Sequence, residues 1–250
     1  RVQVEAASKL YADVHALQDV DFDVHAGEIH ALVGENGAGK STLCKAIAGA
    51  IRLSSGRIRV DGAAQVFARP GDALAAGISM VYQETSLVPS MTVAQNLALG
   101  RERWVNGLRG LNITAQQQLQ SLNFHVDPTV LVATLGTAQR QMVEIARAAY
   151  HDARVIIFDE PTASLTPEEK LHFFQLLRDL RARGLGIVFI SHALEEALAL
   201  ADRITVLRDG RHVVTQAAAD LSRDEVVRRM VGREVQASSR TTTAVAAPSR

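Results

Sequence analysis

Residues 34 to 42 read Gly34-Glu35-Asn36-Gly37-Ala38-Gly39-Lys40-Ser41-Thr42, a complete G-x-x-x-x-G-K-[ST] match. Three glycines let such a loop bend until consecutive backbone N–H groups face inward, and a helix after it presents its positive dipole end to the same point. The product is a cradle for phosphate oxygens. Lys40 adds a point charge that would reach the outer phosphates, and Ser41 supplies the hydroxyl that such loops place on Mg2+. At average glycine usage a chance match in a chain this long has odds of roughly one in a hundred. A Gly-rich turn without a ligand is the alternative. The apolar run Ile29 to Val33 before the loop and the helix-like run Leu43 to Ala50 after it disfavour that reading.

A second constellation is Val155-Ile156-Ile157-Phe158-Asp159-Glu160, four apolar residues followed by two acids. It puts a carboxylate pair at the mouth of a buried strand, where ligands of open sheets sit. Asp159 would hold Mg2+ directly or through water, and Glu160 would polarise an attacking water. An acidic loop of no special chemistry is the rival. It weakens once the phosphate loop is taken with it. His192 follows the apolar run Ile187 to Ile190, so it is expected on the same sheet edge, hydrogen-bonding a terminal phosphate. Gln83 closes Ile78-Ser79-Met80-Val81-Tyr82 and could touch the metal or its water; an exposed loop amide is the plainer reading.

The elements that must position these groups are legible in outline. Ile29 to Val33, Val155 to Phe158 and Ile187 to Ile190 are continuous apolar runs, as expected of parallel strands buried on both faces. Val20, Phe22 and Val24 alternate with polar residues, and Arg57 to Val60 resembles them, which predicts an antiparallel lobe at the front. Helices are expected over Thr42 to Ala50, Thr137 to Tyr150, Pro167 to Arg183, Ala193 to Ala201 and Ser222 to Val231. Thr166 with Glu169 and Pro167 makes a capping start. Residues of about 85–152 are poor in strand signals and include the helix formers Ala115 to Asn123, so they read as an inserted helical lobe. Ile204 to Leu207 and His212 to Thr215 around Asp209-Gly210 read as a hairpin.

The rest of the composition sets bounds. With 250 residues, 47% hydrophobic and 22% charged, the chain is ordinary for a globular protein. Lys plus Arg and Asp plus Glu both number 27, so no basic field for nucleic acid shows in the total. Cys44 is the only cysteine, which excludes an internal disulfide; a buried apolar contact is its expected role. No apolar run is long enough to cross a bilayer, and Ala6 to Tyr11 is not the apolar core of a signal peptide. Arg1 is not an initiator Met and residues 236–250 read as linker, so a trimmed chain is expected.

Together these parts resemble the nucleotide-binding cassette of ATP-binding cassette transporters over nearly the whole chain. Gly34 to Thr42 looks like Walker A, Val155 to Glu160 like Walker B, and Gln83 and His192 like the Q-loop and switch histidine. Tyr11 matches the aromatic residue that stacks on adenine, read as lying before the first strand pair. Leu135-Gly136-Thr137-Ala138-Gln139 stands where the family's signature loop is usually Leu-Ser-Gly-Gly-Gln, so its serine is missing. Ala163-Ser164-Leu165-Thr166 likewise lacks the aspartate of the D-loop. His30 to Asn36, Met91-Thr92-Val93, Leu99-Gly100-Arg101-Glu102, Gln141 to Ala146 and Val231-Gly232-Arg233-Glu234 look like the monosaccharide importers of the ribose, xylose and galactose type.

The resemblance implies an α/β P-loop NTPase core with a parallel sheet, an antiparallel front lobe and an inserted helical lobe. It implies a cassette over residues 1–235 and a linker over 236–250 to a second cassette of the same polypeptide. It further implies ATP and Mg2+ as cofactors, with Lys40, Gln83, Glu160 and His192 in catalysis and Ser41, Gln83 and Asp159 at the metal. A transmembrane permease and, indirectly, a sugar-binding protein are the implied partners, with no nucleic acid, at the cytoplasmic face of the inner membrane. Leu87, Val88, Pro89 and Met91 either dock a permease helix or pack the helical lobe. The rivals are a nucleic-acid clamp, which usually carries long charged insertions, and a non-hydrolysing ATP-binding module, which would be expected to lack Glu160. A GTPase is disfavoured by the absence of an Asn-Lys-x-Asp motif.

Overall fold

The structure is a computed structural model that describes residues 1–82, 86–100, 107–163 and 165–232. Gln83, Trp104, Ser164, the Arg101-Glu102 and Arg233-Glu234 pairs and the expected linker 236–250 lie outside them.

The chain opens with β1 (Val2–Tyr11) and β2 (Val14–Val24), which pair antiparallel and are joined by β4 (Ser55–Val60) and β5 (Ala63–Gln65) in a sheet of order β2-β1-β4-β5. This is the expected front lobe. Tyr11 is the last residue of β1, paired with Val14, and so belongs to the first hairpin rather than preceding it.

The second sheet contains β3 (Ile29–Val33), β6 (Ile78–Val81), β7 (Val155–Asp159), β8 (Gly186–Ile190), β9 (Arg203–Arg208) and β10 (Arg211–Ala217). Its order is β10-β9-β3-β8-β7-β6, and every neighbouring pair is parallel except the β9–β10 hairpin. The continuous apolar runs are explained by burial on both faces. Ala31, Val33, Ile156, Phe158, Ile187 and Phe189 point into one core cluster, while Leu32, Val155, Ile157, Val188 and Ile190 point into the other. The first cluster reaches α3 to α8; the second reaches the front lobe together with α1 and α2.

The first helix, α1 (Lys40–Ile47), starts two residues before the expected Thr42 because Gly39 at φ 99° already turns the chain into it. It stops before the expected Ala50, where Gly49 is left-handed at φ 70°. Next come α2 (Pro70–Ala75), α3 (Val93–Ala98) and α4 (Leu108–Ser121). The fifth helix, α5 (Thr137–Tyr150), has the expected bounds, and α6 (Pro167–Ala182), α7 (Leu194–Leu200) and α8 (Arg223–Val231) agree within a residue or two. Between β6 and β7 the described secondary structure is helical apart from a single Thr92–Leu131 bridge.

Leu87 is a core residue of the helical lobe. Asn96, fully buried, donates its amide to the carbonyls of Val88, Met91 and Thr92 and accepts from Val88 N–H. The packing reading of this loop therefore holds for Leu87, which is not free to dock a partner.

Candidate active site

Three adjacent strands of the second sheet end side by side, and each carries candidate side chains at or just beyond its end. Gly34 to Thr42 follows β3, Ser191 and His192 follow β8, and Asp159 and Glu160 close β7. Asp159 pairs with Ile190 across β7 and β8, so His192 and Glu160 leave the sheet at one level.

Two glycines of the loop have no room for a side chain. A Cβ on Gly34 would lie 2.4 Å from Leu207 O, and one on Gly39 would lie 2.7 Å from Ala16 O. The loop is thus pressed against β9 and against the β1–β2 hairpin that carries Tyr11. Glu35, Asn36 and Gly37 are exposed, while Ala38 and Lys40 are buried. Lys40 Nζ donates to Gly34 O at 2.8 Å and Glu35 O at 2.9 Å, folding back over its own loop. Burial holds this ammonium below its ordinary value, against the pull of Glu160 and Asp159. Thr42 is half-buried on α1.

Ser41 Oγ and Asp159 Oδ1 stand 3.5 Å apart. Burial pushes the Asp159 carboxyl up, and the Glu160 charge pushes it the same way, against Lys45, Ser41 and Lys40. Two hard oxygen donors at this separation, beside a phosphate cradle, fit a Mg2+ completed by phosphate oxygens and water. Among the described residues no cluster of three or more His, Cys, Asp or Glu could hold a metal alone.

Glu160 has φ 51°, a left-handed backbone that costs a non-glycine residue roughly 1–2 kcal/mol. Its Oε1 lies 2.6 Å from His192 Nε2. The expectation that His192 hydrogen-bonds a phosphate had not included this carboxylate partner.

Tyr11 is 46% exposed at the hairpin end, with Lys9 Nζ 4.8 Å from its ring centroid. Leu135 is buried and Gly136 exposed at the start of α5. Lacking a serine hydroxyl at Gly136, that helix start is closed from the other side, with Gly136 N–H donating to Gln139 Oε1 at 3.2 Å. Thr137 and Ala138 form the first turn of α5. Thr166, in place of the D-loop aspartate, caps α6 by accepting from Glu169 N–H at 3.3 Å. Cys44 is fully buried and burial pushes its thiol far up, so it is inert packing as expected.

The sequence had not marked Thr162, Lys170 and Glu196, and had marked Gln141 only as part of the segment Gln141 to Ala146, with no contact of its own. Gln141 Nε2 donates to Pro161 O, Thr162 Oγ1 to Glu196 Oε2 at 2.7 Å and Lys170 Nζ to Glu196 Oε1 at 2.8 Å. The signal available was position alone, two residues after Glu160 and four after His192.

A family model described as ABC transporter matches residues 17–163. The chain belongs to the ABC transporter family. The ribose import ATP-binding protein RbsA of Chelativorans sp. strain BNC1 is 47% identical to it over 236 residues, covering 94% of this chain and 47% of the relative. The ribose import ATP-binding protein RbsA 1 of Rubrobacter xylanophilus is also 47% identical, over 238 residues, covering 94% and 48%. The chain therefore spans about half the length of the curated relatives it matches. Its fold matches that of an ATP-binding cassette of an ABC transporter in the ADP conformation, with a TM-score of 0.79 at 23% identity over 92% of this chain and 96% of that one. Among the described residues of this ABC transporter chain, no helix is long and apolar enough to cross a membrane.

Proposed function

We propose that this chain is the first cassette of a fused two-cassette ATPase, which powers import of a ribose- or galactose-type monosaccharide through a permease. The observation that carries the ATPase reading is the meeting of Lys40, Ser41, Asp159, Glu160 and His192 at one sheet edge. The sugar class rests on likeness to ribose import proteins.

On this reading residues 1–235 are the cassette, with residues 85–152 its helical lobe, and 236–250 lead to a second cassette. Tyr11 stacks on adenine, and the 34–42 loop and Lys40 hold the phosphates. Ser41 and Asp159, with Gln83 outside the described residues, hold Mg2+, which when bound neutralises phosphate charge. Glu160 accepts a proton from the attacking water at its carboxylate, and His192, held against Oε1, orients that carboxylate and the outer phosphate. The loop Leu135 to Gln139 faces the second cassette's nucleotide.

The protein then works peripherally at the cytoplasmic face of the inner membrane, with a sugar-binding protein acting from outside and no nucleic acid involved. With Leu87 buried, the exposed Pro89 and the half-buried Val88 and Met91 remain for a permease helix, and a groove of about 230 Å3 lined by Leu74, Met80, Tyr82, Leu99 and Arg147 offers a further seat for it. The test is ATP turnover by the full-length protein with its permease in vesicles. Ribose or galactose delivered by the binding protein should raise turnover; indifference to every monosaccharide would remove the sugar assignment.

A further inference from the structure

Glu160 has a backbone that its residue type disfavours, so its surroundings must hold it. Glu160 N–H donates to Ile190 O at 3.2 Å, and Ala163 N–H to Glu160 O at 3.4 Å. Both bonds are long and restrain weakly. Firmer restraints lie one and two residues further on. Thr162, only 5% exposed, donates its hydroxyl to one oxygen of Glu196, and Lys170 donates to the other. Each carboxylate oxygen thus has its own donor, one from the loop after β7 and one from the first turn of α6. On the other side, Gln141 of α5 grips Pro161 O.

Glu196 stands on α7, four residues after His192, whose ring returns to Glu160. The contacts therefore close a circuit: Glu160 to Thr162 along the chain, Thr162 to Glu196 by hydrogen bond, Glu196 to His192 along the chain, and His192 back to Glu160. The Glu196 side chain is 13% exposed, so its charge-assisted bonds are little screened. A loose link anywhere in that circuit would let the two reacting side chains drift apart.

We propose that Glu196 is a positioning residue for Glu160: by gripping Thr162 it fixes the left-handed turn at Glu160 and the spacing between Glu160 and His192. This rests on the reading of Glu160 as the base that accepts a proton from water. If Glu196 did no more than tie α7 to α6 through Lys170, its loss would lower stability alone.

The experiment uses the full-length protein assembled with its permease. Glu196→Ala should lower kcat by roughly ten- to a hundredfold, the cost of misplacing a reacting group, with KM for ATP within about twofold. Glu196→Gln keeps an oxygen acceptor for Thr162 and should stay within about threefold of the natural protein. In a Glu160→Gln background, Glu196→Ala should change single-turnover hydrolysis by less than about twofold, because the two residues act as one unit.

An unchanged kcat in Glu196→Ala overturns the proposal. So does a full further loss in the Glu160→Gln background, or a fall in kcat matched by weaker ATP binding and a lower Tm. Normal turnover by Glu160→Gln would instead remove the base reading itself, an outcome distinct from a silent Glu196→Ala beside a damaged Glu160→Gln.

Discussion

The two ends of the second sheet keep their acids on opposite terms. At the end where β3 begins, Asp23 accepts two bonds from Arg203 at 2.9 and 3.0 Å, and Arg203 also reaches Glu28 Oε1 at 3.2 Å. Glu28 further accepts His25 N–H at 2.6 Å and lies 3.2 Å from the fully buried His30 ring. The Arg203 hydrogen bond holds the Asp23 carboxyl below its ordinary value, outweighing burial. Burial pushes Glu28 up, but His30, His25 N–H and the Arg203 charge together more than offset it and the net direction is down.

At the other end Asp159 is pushed up, first by burial and then by Glu160, with the distant Ser41 hydroxyl as partner. The same residue type is thus held charged where its charge is answered and, on the proposed reading, poised for a ligand where it is not.

The largest expected effect breaks the poised end. Mg-ATP at a hundredfold excess over its dissociation constant should stabilise the 250-residue chain by about 2.7 kcal/mol, and Lys40→Ala should abolish most of that in a thermal-shift titration. A shift that survives the substitution would mean that the 34–42 loop is not the phosphate site.

Breaking the answered end should do the reverse. Arg203→Met leaves Asp23 and Glu28 without their cation and should cost about 1–3 kcal/mol in urea melts, discounted for partial exposure, with ATP affinity unchanged. The sign follows from the lowered carboxyls: their contribution is present above the ordinary values of 3.8 and 4.5 and is lost as pH falls through the folded values. The acid limb of the natural protein's stability curve should therefore flatten in the variant. An equal loss at every pH would place Arg203's role in packing instead.

The smallest effect sharpens the contrast. Asp159→Asn should stabilise the free chain by about 0.5–1 kcal/mol at neutral pH while removing the Mg2+ dependence of nucleotide binding. Because the folded Asp159 carboxyl is raised, its favourable share is present below 3.8 and is lost as pH rises through the folded value. The variant's advantage should fade on acidification, and a destabilised variant at neutral pH would contradict the poised-acid reading.

The grouping of these residues at the sheet edge was legible because each part is contiguous in the chain: a loop, a strand with two acids, a strand with a histidine. The buried sheet was legible for the same reason, since strands covered on both faces need no polar alternation. Strand β1 was not, because Ala6 at φ 47° and the register shifts around Ala7 break its alternation. Strand β5 is three residues of Ala and Gln, without the branched side chains that mark a strand. Helix α4 began earlier than Ala115, its first turns obscured by Gly110 and Asn112. The Thr162–Glu196–Lys170 contacts join residues 34 and 26 positions apart, which no local pattern records.

The central claim is that this cassette hydrolyses ATP through Glu160. The direct measurement is rapid-quench analysis of the nucleotide bound to the full-length protein and its permease, with and without Glu160→Gln. The variant should bind ATP as the natural protein does and keep it unhydrolysed at this site, with turnover lower by roughly 10²–10⁴. ADP and phosphate appearing at the natural rate in the variant would show that another group takes the proton.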